Sequence, residues 1–205
     1  MNKVNYNKKM DEILESLAGK KARLLLHSCC APCSSYVLEY LSEYFDITIY
    51  FYNQNIHPKE EYMKRFEELK DFTKKIYHGN IDIIAEEYNP NEFFTTISGY
   101  EKDKEGSGRC SMCYHMRLNK TAQKAKNDNY EYFGSVLTIS PHKKADRINL
   151  IGENLSKKYG VNFLYSDFKK NNGFKKSLEL SKEHDLYRQQ YCGCSFSKRD
   201  ELECL

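Results

Sequence analysis

Seven of the eight cysteines fall into three groups: Cys29, Cys30 and Cys33; Cys110 and Cys113; and Cys192 and Cys194, with Cys204 standing apart. Grouped soft thiolates are how proteins hold zinc or iron–sulfur clusters, and Cys-x-x-Cys spacing lets two sulfurs converge on one metal from a turn or a helix start. A structural zinc site takes four ligands, commonly from two compact pairs, and the six or seven thiols spread along this chain exceed that. The spacing of Cys192-Gly193-Cys194 is different. One intervening glycine brings the sulfurs close enough for a strained, readily reduced disulfide, so this pair reads as redox-active. Completing the metal site, or binding a second metal beside it, is the alternative use of the same two thiols. Cys204 reads as an ordinary small apolar residue or a frayed end.

The bulk properties sharpen this reading. No stretch approaches the roughly 20 apolar residues of a membrane span, and the opening MNKVNYNKKMDEILESL lacks the apolar centre of a signal peptide. A cytoplasmic protein with no membrane partner is expected. Its reducing surroundings argue against a structural disulfide framework and for metal or redox use of the cysteines. A net charge of +3 gives no whole-molecule signature of nucleic-acid binding. With 17 Tyr and 11 Phe there is ample material to stack on bases, though strands and cores use the same residues.

The elements that must position the cysteines follow from hydrophobic periodicity. Arg23 to Ser28 reads as a short buried strand running directly into the first cysteines, and Ser34 to Tyr44 carries Val37, Leu38 and Leu41 on one helical face. Both Cys29-Cys30 and Cys110/Cys113 then sit at helix starts, where the partial positive charge favours thiolate. Asp46 to Tyr52 is strand-like; a helix follows from Pro58 with Tyr62, Phe66, Leu69 and Phe72 inward; Ile81 to Ile84 is a third strand. A helix from Asn89-Pro90, a Gly-rich charged loop over 99–108, a helix from Cys110 to about Lys126, a strand over Tyr130 to Leu137, a helix over Lys143 to Tyr159 and a strand over Val161 to Ser166 complete the series.

This βα alternation predicts an α/β protein: a parallel sheet of about five strands with helices on both faces, and ligands beyond the carboxyl ends of the strands. One compact domain is expected, with a helical lead-in over 1–22, an α/β body over 23–182, and a cysteine-containing tail over 183–205 that folds back over the site.

With these residues in hand, the sequence resembles the cobalamin-independent epoxyqueuosine reductases of the QueH type. The resemblance runs from Leu24 to Ser197. It rests on 26–33 (LHSCCAPC), 52–58 (YNQNIHP), 108–114 (GRCSMCY), 138–143 (TISPHK) and 189–194 (QQYCGC), ordered motifs that together are far more specific than one Cys-x-x-Cys. It implies an oxidoreductase that reduces the epoxide of epoxyqueuosine, at the wobble position of tRNA, to the alkene of queuosine. It implies a 4Fe–4S cluster on Cys29, Cys30, Cys110 and Cys113, with Cys192 and Cys194 as a redox pair or as ligands of an adjacent mononuclear iron. It also implies an adenine-nucleotide-hydrolase-like (HUP) fold in which cysteines replace the phosphate loop. The SGGxDS loop of the ATP-using tRNA thiolases reads Ser28-Cys29-Cys30-Ala31-Pro32-Cys33 here, with no glycine to cradle phosphate, which argues against ATP use.

Removing the epoxide oxygen as water consumes two electrons and two protons, so an external electron donor is required. His27, His57 and His142 lie at element ends and are candidates to hold substrate or protons. Tyr114, Tyr187 and Tyr191 are candidates for stacking on the exposed base. Arg109, Arg117, Lys143, Lys144, Arg147, Arg188, Lys198 and Arg199 are candidates for tRNA phosphates. The rival reading is a zinc-stabilised nucleic-acid-binding module without catalysis.

Overall fold

In a computed structural model, described over residues 4–197, five parallel strands lie in the order β3-β2-β1-β4-β5. The strands are β1 Ala22–His27, β2 Phe45–Phe51, β3 Asp82–Ala85, β4 Tyr132–Ser135 and β5 Asn162–Phe163. Between and around them run α1 Tyr6–Ser16, α2 Ala31–Leu41, α3 Lys59–Tyr77, α4 Pro90–Thr96, α5 Gly108–Asn127, α6 Ala145–Tyr159 and α7 Gly173–Glu183. The central strand β1 places Leu24, Leu25 and Leu26 at 0 % exposure, the continuous apolar run that a strand covered on both faces needs.

Right-handed crossovers fix the sides. The chain first steps outward through β2 and β3, then α5 carries it back to β4 on the far side of β1. Thus α2, α3 and α7 cover one face, and α5 with α6 covers the other. The switch point lies at the carboxyl ends of β1 and β4, where this architecture binds ligands. The strand order, the parallel pairing and the cysteine turn at the end of β1 agree with the nucleotide-hydrolase-like α/β fold expected from the sequence. No helix among the described residues is long and apolar enough to cross a membrane.

Three elements differ from expectation. The fourth strand stops at Ser135, whose hydroxyl accepts from Leu137 N–H at 3.2 Å and turns Val136–Ile139 into a 3₁₀ helix. The fifth strand covers only Asn162–Phe163. Asn149 of α6 bonds both backbone groups of Ser166, at 3.0 and 2.8 Å, and draws the following residues toward that helix. Helix α7 was not evident in the sequence, because its buried face is built from Gly173, Ser177 and Ser181 rather than from an apolar stripe. Such small residues allow it to lie close against α2.

Candidate active site

The turn after β1 is pinned from below. His27, fully buried, pairs its Nδ1 with Ser135 Oγ at 3.0 Å and its Nε2 with the Tyr52 carbonyl at 3.2 Å, joining β1 to both neighbouring strands. Burial first, and then the Arg117 charge, lower its pKa to about 3, so the ring is neutral. Asn53 Nδ2 donates to the Ser28 carbonyl at 2.7 Å, and Ser34 Oγ donates to the Cys30 carbonyl at 2.8 Å. Cys30 is thus the extended residue capping α2, and Pro32 follows inside the first turn, where a missing N–H costs nothing. The consequence is a tight sulfur group. The Sγ atoms of Cys29, Cys30 and Cys33 lie within 4.8 Å of one another.

A cavity of about 280 Å³ opens beside this group, at the switch point. Six thiols line it: Cys29 and Cys33 from the turn and α2, Cys110 and Cys113 from the first turns of α5, and Cys192 and Cys194 from the segment after α7. Cys30 is fully buried and does not line the cavity; its sulfur is 3.8 Å from that of Cys29. Of the remaining described residues singled out in the sequence, Arg109, Tyr114, Arg117, His142, Lys143, Arg188 and Tyr191 line the cavity, whereas His27, His57, Lys144, Arg147 and Tyr187 do not. His57 lies behind it, stacked on Phe94 at 4.9 Å, with Nδ1 3.1 Å from Tyr88 Oη.

Residues 184–197 form a strap across the cavity, without strand structure. Arg65 of α3, 1 % exposed, donates from Nη1 to the Cys192 carbonyl and from Nη2 to the Tyr191 carbonyl, both at 3.2 Å. His57 N–H donates to the Gly193 carbonyl at 2.8 Å, and Tyr191 Oη donates to the His57 carbonyl at 2.5 Å. Arg65 was missed in the sequence because it stands in a helix crowded with Lys and Glu. Only its spacing from Glu61, with which it pairs at 2.6 Å, was a signal.

Two of the thiols, Cys29 and Cys192, are held toward thiolate among the cations of the wall. Cys29 is held well below the usual thiol range by hydrogen bonds from Cys30 and Cys33, and Cys33 is pushed up to about 12 as a partner of Cys29. Cys192 is likewise lowered, first by the hydrogen bond from Cys194 and then by Lys143, while that same bond raises Cys194. Burial pushes Cys113 up to about 11. Lys143 keeps its proton: burial opposes the charge, but Cys29, Cys33 and Cys192 more than offset it. Arg117 is 3 % exposed and lines the cavity; its Nε has no partner among the described residues, and its one recorded hydrogen bond is a 3.5 Å contact to Asn53 Oδ1. A buried guanidinium left this short of acceptors calls for an anion in the cavity. All-sulfur donors and unspent cations fit a soft, negatively charged metal–sulfur group better than a hard cation.

The structure also sorts the cations proposed for phosphates. Arg109 and Arg147 are occupied internally, Arg109 on the carbonyls of Glu101 and Asp103, and Arg147 on those of Gly106 and Ser107 at 2.8 Å. Arg117 is inside the site, and Arg188 reaches Ser181 Oγ at 3.1 Å. Lys143 is half-buried in the wall and Lys144 is exposed beside it. Lys198, Arg199 and Cys204 lie outside the described residues.

Comparison with known proteins gives the family of the chain. The family model described as "Epoxyqueuosine reductase QueH" matches residues 24–200. The epoxyqueuosine reductase QueH of Streptococcus pyogenes serotype M1 is 44 % identical over 202 residues, 96 % of this chain and 79 % of that protein. The one from Staphylococcus aureus is 43 % identical over 207 residues, 95 % of this chain and 84 % of its own length. That of Dehalococcoides mccartyi is 40 % identical over 182 residues, covering 88 % and 94 %. With its cysteine turn, its α5 thiols and its strap all inside the matched span, this chain belongs to the epoxyqueuosine reductase QueH family.

Proposed function

We propose that this protein is a cytoplasmic, iron–sulfur-dependent and cobalamin-independent epoxyqueuosine reductase acting on tRNA. It reduces the epoxide of epoxyqueuosine to the alkene of queuosine. The observation that carries the reading is the convergence of six thiols and five cations, Arg65, Arg109, Arg117, Lys143 and Arg188, on one cavity at the switch point of the sheet. Cys29, Cys30, Cys110 and Cys113 are the proposed cluster ligands. Cys33, within 4.8 Å of the first two, is a neighbour with the same chemistry.

Epoxide plus two electrons and two protons gives alkene plus water. A 4Fe–4S cluster, when bound, supplies electrons one at a time from an external donor. The chain's own residues meet the other demands. Cys192 and Cys194 form an asymmetric pair, thiolate beside thiol, suited to storing two electrons as a dithiol that closes to a disulfide, or to holding an adjacent iron. Lys143 Nζ and Tyr114 Oη both remain protonated in the wall and are the proposed donors to the negative charge that develops on the departing oxygen. Tyr191, in the strap, lines the cavity and is the proposed contact to the base. His142 and Lys144 stand exposed by the same wall and suit phosphate contacts, so tRNA binding weakens steeply as salt rises.

The test is anaerobic incubation of the iron-reconstituted protein with epoxyqueuosine-containing tRNA and a strong reductant, followed by nucleoside mass analysis. Loss of one oxygen atom is expected. A colourless, zinc-loaded protein that leaves the nucleoside unchanged would instead identify the non-catalytic zinc module.

A further inference from the structure

Helix α3 does more than cover the sheet. Its residues Glu61, Lys64, Arg65 and Glu68 follow helical spacing and face the strap together. Glu61 Oε2 accepts from Tyr187 Oη at 3.2 Å, Lys64 Nζ lies 3.4 Å from the centre of the Tyr187 ring, and Glu68 accepts from Tyr187 N–H. Arg65 is the buried member of this row, with Nε on Glu61 and its two terminal nitrogens on consecutive carbonyls of the strap. From the opposite side, Gly193 has φ +104°, and a Cβ there would lie 2.8 Å from Ile56 Cγ1 and 3.1 Å from Arg65 Nη1. The Cys192-Gly193-Cys194 backbone is therefore gripped between Arg65 and the 53–57 loop, with no slack for a methyl group.

We propose that Arg65 is the positioning residue of the Cys192/Cys194 pair: its guanidinium, fixed by Glu61, holds the Tyr191 and Cys192 carbonyls so that both thiols face the cavity. A planar fork can bind two adjacent carbonyls in fixed geometry, which the ammonium of a lysine cannot reproduce. Arg65 acts through the backbone of the pair and forms no bond to the reacting atoms. The inference deepens the proposed function and rests on the pair serving that reaction.

The test begins with the full, metal-free chain, so that placement is read apart from catalysis. Arg65→Lys and Gly193→Ala attack the grip from its two sides. Each is expected to speed hydrogen exchange over 187–197, and iodoacetamide alkylation of Cys192 and Cys194, by about tenfold or more, the scale of losing one charge-assisted hydrogen bond. Exchange in β1 and alkylation of Cys29 should stay as in the parent. In the iron-loaded enzyme both variants should lower kcat at least as strongly as they raise KM. An unchanged strap in both variants, general loosening that includes β1, or a loosened strap with parent-like turnover would each overturn the proposal. If the parent enzyme itself fails to reduce the epoxide, the functional reading falls, and the metal-free measurements alone decide whether Arg65 positions the pair.

Discussion

The two thiol-bearing regions that meet across the cavity, the turn at 28–33 and the strap at 184–197, are built in opposite ways. The turn is set by the fold itself. It continues the central strand, caps a helix, and is bonded from the loop after β2, from β4 and from α2 by groups that are almost wholly inaccessible. The strap has no ladder and little helix. It stays in place through side chains of α3, one stretch of the loop after β2, and bonds to Ser181 of α7. The first region can change only with the core, whereas the second can change alone. Metal retention and turnover should therefore come apart when the two are mutated.

The sharpest break is chemical. Cys29→Ser should lose nearly all bound iron after reconstitution, while Cys194→Ser should keep its iron and its brown colour yet lose single-turnover reduction of the epoxide. Equal iron loss in both would erase the distinction and make the strap thiols ordinary ligands. Next in size is Leu26→Ala, which removes a wholly buried side chain beneath the turn and should cost about 2–5 kcal/mol in urea unfolding. Ser34→Ala, which removes the hydroxyl bonded to the Cys30 carbonyl and to Ser28 Oγ, should cost about 1–3 kcal/mol by the same measurement. Smallest is Tyr191→Phe. Loss of the bond to the His57 carbonyl should cost about 1 kcal/mol locally, visible as faster hydrogen exchange in the strap, with the unfolding midpoint almost unmoved.

The same contrast explains what could be read from the sequence. The turn was legible because strand, cysteines and helix are contiguous, and local periodicity located each of them. Cys110 and Cys113 were legible for the same reason, at the start of a long amphipathic helix. The strap could be expected over the site from its cysteines, but its anchors could not. Arg65 looks like any other charge in KEEYMKRFEELK until the backbone 126 residues later is laid beside it. His27 and His57 sit in matched motifs, and only the structure separates them from the cavity wall, because a motif reports position along the chain and not the direction a ring faces. The 3₁₀ turn at Val136–Ile139 and the short β5 depend on single side chains, Ser135 and Asn149, that interrupt otherwise strand-like runs. Helix α7 escaped because serines do the packing that apolar residues usually signal.

The strap also gives the molecule an order of construction. During synthesis the turn, α2, the returning strand β4 and the thiols of α5 all leave the ribosome before the strap is made. The nascent chain can thus present an open cup of four cysteines, Cys29, Cys33, Cys110 and Cys113, before Cys192 and Cys194 exist to cover it. A bulky inorganic group could be seated from that open side with no need to part folded walls, and the last stretch to emerge would then close over it.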